Sequence, residues 1–380
     1  MRAVRRLARF VTLVAVLAVL LAVPAAWYFS GRIHADGLAV DPAEVSRDLE
    51  VVRVGAGTVT IRGADDELRT RGTYGVDWVG GYGQVSGTPV GDVEVTRSFR
   101  VLTGRPLRVG DRVAVTEQAF PSDPAVALGV PVRDATVRAP GGAFPAWFVP
   151  GRGTTWVVLV HGKGTGRAEM LRAMRVPVGL GLPALAITYR NDALLPLDES
   201  RRYQYGRTEW EDLDAALAWA GDQGARRFVL VGASMGGAVV AETMERSARA
   251  DQVAGLVLDA PLLSFDDAVD LGAEREDVPV LGSVPGFVTW AAKRLTTLRY
   301  GVDWDALDRL DDTSWVRVPT LVFHGTADAR VPVASSDRLA EREPDRVRLV
   351  RLDGVAHVEA WNHDPAAYED ALRRFLSEVT

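Results

Sequence analysis

The stretch from Phe228 to Ala248 constrains this chain more than any other. Phe228 to Val231 is a short apolar run, Gly232-Ala233-Ser234-Met235-Gly236-Gly237 follows it, and a helix-forming run begins at Ala238. A strand that turns sharply into a helix needs small side chains, and Gly232, Gly236 and Gly237 supply them. The serine at its tip is then strained and stands at a helix N-terminus, where developing negative charge is favoured. Ser234 is therefore the first candidate site residue.

From Leu128 onward apolar strand patterns alternate with helical ones, which predicts an α/β domain with a mostly parallel sheet covered on both faces. The strand candidates are Trp156 to Val160, Ala184 to Tyr189, Phe228 to Val231, Leu256 to Leu258, Leu321 to Phe323 and Val347 to Leu352. Helices are expected at Glu209 to Ala220, Ala238 to Ala248, Ser335 to Glu341 and Pro365 to Val379. Asp328 lies in the loop after the strand ending at Phe323, and His357 in the loop after the strand ending near Leu352. Serine, acid and histidine thus follow one another in chain order at carboxyl ends of parallel strands, where such sheets place their sites. In that arrangement Ser234 attacks, His357 takes and returns its proton, and Asp328 orients the imidazole. Two fixed N–H donors are also needed for the oxyanion, and the backbones of Met235 and Lys163 are the candidates. Lys163 sits in His161-Gly162-Lys163-Gly164-Thr165-Gly166, which lacks the upstream Gly and the Ser/Thr of a phosphate loop.

Taken together, VVLVHGKG, GASMGG, LVFHGTADARVP and GVAH resemble the α/β-hydrolase superfamily, nearest its serine aminopeptidase-like and monoacylglycerol-lipase-like branch. The resemblance runs from about Val130 to the C-terminus. It implies an eight-stranded sheet, hydrolysis of esters, thioesters or amides, no cofactor, and a lid from Ser264 to about Val318. Lys163 departs from the smaller or apolar residue expected there.

Other residues admit plainer roles. His161 and His324 each begin a turn and read as loop-positioning groups; His363 is a rival to His357, and Asp259, after the sixth strand candidate, is a rival acid to Asp328. Asp192 and Asp198 read as turn residues or pocket lining. Phe287, Trp290, Tyr300 and Trp304 either grip an acyl chain or pack the lid. Glu209, Glu211, Asp212 and Asp214, beside Trp210, read as the acidic first turns of a surface helix and not as a metal site. No metal-ligand spacing is present, and the absence of cysteine excludes thiolate chemistry and disulfides. A net charge of -6 gives no basic footprint for nucleic acid.

The N-terminal part divides in two. Arg2, Arg5, Arg6 and Arg9 precede Phe10 to Phe29, an uncharged run about as long as the ~20 residues that cross a bilayer as a helix. Residues 1–35 are therefore expected to be a membrane anchor, with the N-terminus cytoplasmic and the remainder outside the plasma membrane. Val23-Pro24-Ala25-Ala26 offers the alternative of a cleaved signal peptide and a secreted product. Residues 45–127 carry short alternating runs (Leu49 to Val54, Thr58 to Ile61, Val93 to Val101, Val109 to Val115) with a hairpin turn at Gly55-Ala56-Gly57. They predict a small β-rich accessory module before a hydrolase domain over 128–380. The expected partners are a small-molecule or lipid-like acyl substrate and the lipid bilayer.

Overall fold

The computed structural model describes residues 22–40, 45–192, 195, 199–279 and 282–380. These fall into two compact units: residues 22–39 with Ser264–Asp308, and the segments Val40–Leu263 and Arg309–Thr380.

The larger unit contains two β systems. Strands β1 (Leu49–Gly55), β2 (Thr58–Arg62), β3 (Tyr74–Trp78), β4 (Gly81–Val90), β5 (Glu94–Gly104) and β6 (Arg112–Thr116) close an antiparallel barrel in the order β1-β2-β5-β4-β3-β6. Alternation drives it, because inward side chains such as Val51, Ile61, Tyr74, Val76, Trp78, Val95 and Val113 form one buried cluster. Two of its strands, β3 and β4, lie where the sequence reading found none. Glycines obscure them, yet two of these are needed for close packing: a Cβ on Gly75 would stand 2.2 Å from the Tyr82 hydroxyl, and one on Gly81 2.5 Å from the Trp78 ring.

Eight further strands form the second system: β7 (Arg133–Ala139), β8 (Gly142–Val149), β9 (Thr155–Val160), β10 (Ala184–Ile187), β11 (Arg227–Ala233), β12 (Val253–Asp259), β13 (Thr320–Gly325) and β14 (Val347–Leu352). Their order is β14-β13-β12-β11-β9-β10-β8-β7. The run from β10 to β14 is parallel, while the β7–β8 hairpin is antiparallel. Strands β9, β10, β12 and β13 are buried along their whole length, which explains the long apolar runs within them. The chain leaves β9 toward β10 on one side and takes up β11 on the other, so strand order reverses at β9. Ligand crevices in open α/β sheets form at such a point.

The expectation of a surface acidic turn at Glu209 and Asp212 is corrected. The helix spans Trp210–Asp222, and both carboxylates are buried. Arg190 makes a fork to Asp212, with Nε to Oδ2 and Nη2 to Oδ1 both at 2.8 Å. Glu209 accepts the backbone N–H groups of Gln204 (2.8 Å) and Gly206 (3.0 Å). Buried carboxylates persist only when so satisfied.

In the smaller unit, residues 22–32 are helical and pack on the helix Gly286–Tyr300 through Ala26, Val288 and Ala292. Of the expected membrane segment, residues 10–21 lie outside the described residues. No helix among the described residues is long and apolar enough to cross a membrane.

Candidate active site

Ser234 closes β11 and starts the helix Met235–Arg246, with φ 50° and ψ -117°. A serine at positive φ is strained, and the surroundings hold it there. Its N–H donates to the Asp259 carbonyl (2.9 Å), while its carbonyl accepts from Gly237 N–H (2.9 Å) and Leu262 N–H (3.0 Å). The flanking glycines serve close approach. A Cβ on Gly236 would stand 2.2 Å from the Val160 carbonyl oxygen, and one on Gly232 2.6 Å from that of Gly236.

The structure brings His357 and Asp328 to this serine. The Ser234 hydroxyl lies 2.8 Å from His357 Nε2, and His357 Nδ1 lies 2.6 Å from Asp328 Oδ2. An ionised carboxylate only accepts, so Nδ1 carries the proton and Nε2 is left to accept from the serine hydroxyl. Asp328 is further held by the N–H groups of Arg330 and Val331, each 2.8 Å from Oδ1. Burial pushes its carboxyl up, but His324, His357 and the backbone donors outweigh this and hold it well below the usual carboxylate range. The acid and histidine loops are themselves tied, since Ala327 N–H donates to the Val355 carbonyl (3.0 Å).

His324 is buried and accessory to this line: Nε2 approaches Asp328 Oδ2 (3.3 Å) and the Val331 carbonyl (3.2 Å), and Nδ1 meets Ser336 Oγ (2.7 Å). His363 is exposed at the end of the helix Ala360–His363. Asp259, the rival acid, is buried, and burial pushes its carboxyl up to about 7. As pH rises from about 4 toward 7 the unfolded chain releases this proton while the folded chain keeps it, so folding stability falls across that window. Asp259→Asn is expected to flatten this loss; thermal melts of both proteins at pH 4.5 and pH 8 measure it, and parallel pH dependence would contradict it.

The loop after β9 lies against the serine. A Cβ on Gly162 would stand 3.2 Å from Ser234 Cβ and 3.3 Å from Glu169 Oε2, and the Gly162 N–H donates to that Glu169 oxygen (2.6 Å). His161 is buried, stacks on Tyr189 (4.4 Å between centroids) and has Nε2 3.2 Å from Asp192 Oδ2. Burial opposes charge on this imidazole, yet Asp192 and the Gly162 carbonyl prevail and raise its pKa. Tyr189 O–H donates to the His161 carbonyl (2.8 Å). Lys163 directs its ammonium to the Tyr203 ring, 5.7 Å from the centroid. Met235 is the first residue of its helix, where backbone N–H groups have no intrahelical partner. Asp198 lies outside the described residues.

Phe287 and Trp290 are each 62% exposed, whereas Trp304 stacks on Phe265 and Tyr300 on His34. No group of three or more His, Cys, Asp or Glu residues able to hold a metal occurs among the described residues. Sequence reasoning missed Glu169, whose role depends on a fold-dependent contact and which no motif marks.

No protein-family model matches the chain. An uncharacterized protein of Mycobacterium tuberculosis strain H37Rv is 28% identical over 255 residues, covering 65% of this chain and 80% of that protein. Over a shorter stretch of 63 residues, 15% of this chain and 25% of the relative, it is 40% identical to a pimeloyl-[acyl-carrier protein] methyl ester esterase of Aromatoleum aromaticum. Among solved structures it is similar to the Pyrococcus furiosus esterase Pf2001, with a TM-score of 0.54 and 18% identity over 67% of this chain and 95% of that one. At that identity the likeness speaks for the fold, and the chain has the α/β-hydrolase fold.

Proposed function

We propose that this chain is a membrane-anchored, extracytoplasmic serine hydrolase that cleaves carboxylic ester or thioester bonds through an acyl-enzyme. The observation that carries the reading is the unbroken hydrogen-bonded line from Ser234 through His357 to Asp328. In this reading Ser234 Oγ adds to the acyl carbon as its proton passes to His357 Nε2. The tetrahedral oxyanion is met by the N–H groups of Met235 and Lys163, and collapse expels the alcohol or thiol, which takes the proton from His357. Water then adds to the acyl-serine, giving its proton to His357, and the carboxylic acid leaves as Ser234 regains a proton. The shared stretch with a methyl ester esterase favours esters over amides.

Rates on p-nitrophenyl acyl esters and on amino-acid anilides test this. Ester turnover well above anilide turnover is expected; the reverse would make the chain an aminopeptidase-like enzyme, and turnover of neither would leave a silent surface domain.

The anchor and outward placement rest on the uncharged run Phe10 to Phe29 behind four arginines, and on Trp27 and Tyr28, both exposed where that run ends. Full-length protein is expected in the carbonate-resistant membrane pellet, and Leu17→Arg, which adds about 3 kcal/mol to insertion at a helix centre, to move it toward the soluble fraction. A soluble full-length protein would defeat the anchor. The segment Ser264 to about Val318 is proposed to act as the lid, and residues 45–127 as an accessory module to a hydrolase domain over 128–380.

A further inference from the structure

The residue after His357 is backbone-strained: Val358 has φ 56°, in the left-handed region that β-branched side chains avoid. Such a conformation persists only when its surroundings over-determine it. The carbonyl of Val358 accepts from Arg172 Nη1 (3.0 Å), a buried guanidinium that also donates to the Glu117 carbonyl (3.2 Å) and to the Asn362 side chain. Glu117 directly follows β6, so one cation ties the exit of the barrel to the loop that carries His357.

Four more hydrogen bonds tie the barrel to that loop and to the short helix Ala360–His363 that follows it. Asn362 Nδ2 donates to the carbonyls of Thr73 (2.8 Å) and Glu117 (2.9 Å), Thr73 N–H donates to the Asn362 carbonyl (2.8 Å), and Tyr74 O–H donates to Glu359 Oε2 (2.7 Å). It also reaches the loop against Ser234, because Gln118 Nε2 donates to the Thr165 carbonyl (3.1 Å). Arg172 belongs to the same tie: its Nε donates to the carbonyl of Glu169 (3.3 Å), whose carboxylate holds Gly162 N–H.

We infer that the β-barrel, through Asn362 and Arg172, is a clamp that holds strained Val358 in place and thereby sets His357 against Ser234. Asn362 and Arg172 are positioning residues that touch no reacting atom. The inference rests on the serine-hydrolase reading for its catalytic consequence, while the clamp is a separate structural claim. Without the clamp, Val358 relaxes toward extended backbone and carries the neighbouring imidazole off the serine. A glycine at 358 has no such tendency, since positive φ is free to it.

The experiment is a cycle on the full-length protein: wild type, Asn362→Ala, Val358→Gly and the double variant, read by the rate of fluorophosphonate labelling of Ser234 and by ester kinetics. Asn362→Ala is expected to slow labelling and kcat about 10- to 100-fold with KM little changed, and Val358→Gly to restore most of that loss in the double variant. A folded Asn362→Ala protein labelled at the wild-type rate overturns the clamp, as does a loss that Val358→Gly leaves untouched. Should Asn362→Ala not fold, Tyr74→Phe replaces it, with a smaller loss that Val358→Gly must again relieve. If the wild type is not labelled at all, the hydrolase reading falls, and amide exchange over Val355 to Glu359 still decides the clamp. Faster exchange in Asn362→Ala (or in Tyr74→Phe) is then expected, and unchanged exchange overturns it.

Discussion

Ser234→Ala is expected to lower kcat on a carboxylic ester by about six orders of magnitude and to abolish fluorophosphonate labelling, with the fold intact by circular dichroism. The size of the loss follows from non-additivity: once the nucleophile is gone, His357 and Asp328 have no proton to move, and what remains is the contribution of binding and of the N–H donors. The substitution removes one oxygen and leaves the backbone bonds of residue 234 to Asp259, Gly237 and Leu262 in place. A variant that still turned over ester within tenfold of wild type would mean that another group attacks, and the serine reading would be abandoned.

Asp328→Asn is the second large effect, about 10⁴-fold in kcat. Its mechanism can be traced bond by bond. Oδ1 of residue 328 accepts the N–H groups of Arg330 and Val331, so an asparagine must keep its oxygen there and turn its NH₂ toward His357 Nδ1. That nitrogen then has to accept, the ring proton moves to Nε2, and Nε2 is no longer able to take the proton of Ser234. The substitution also alters acid stability. The Asp328 carboxyl is held below its unfolded value, so its contribution is present above about pH 4 and is lost as pH falls further. Urea midpoints at pH 7 and pH 3 are expected to differ less in the variant than in the wild type, and steady-state kinetics at pH 7 read the catalytic loss. Unimpaired kinetics would show that Asp328 does not set the tautomer.

Those two substitutions concern residues that the sequence itself groups, because a glycine-bracketed serine, an acid after one strand and a histidine after the next leave local signatures in a fixed order. The parallel core strands are legible for a related reason: buried on both faces, they carry long apolar runs. Strands β7 and β8 are not, since β7 carries Arg133, Asp134 and Arg138 on a half-exposed hairpin and lacks that texture. Glycines hid β3 and β4 because a missing side chain reads as a break, while in the barrel it makes room for Trp78 and Tyr82. Glu169, Arg172 and Asn362 were invisible for a third reason. The partners of Arg172 at Val358 and Asn362 lie nearly two hundred residues along the chain, and no local pattern announces such a bond.

The strand order of the eight-stranded sheet also bears on pairing between copies at its edges. The barrel closes on itself, so the free strand edges of these two β systems are β14 and β7. An exposed strand edge is a template for adding a strand from another molecule. β14 carries Arg348 and Arg351, paired with Glu378 (3.2 Å) and Asp337 (2.6 Å), and β7 carries three charged side chains of its own. A second strand pairing there would lie beside those exposed charges, and charged edge strands disfavour edge-to-edge pairing; on β7 the same charges are what made it hard to recognise as a strand.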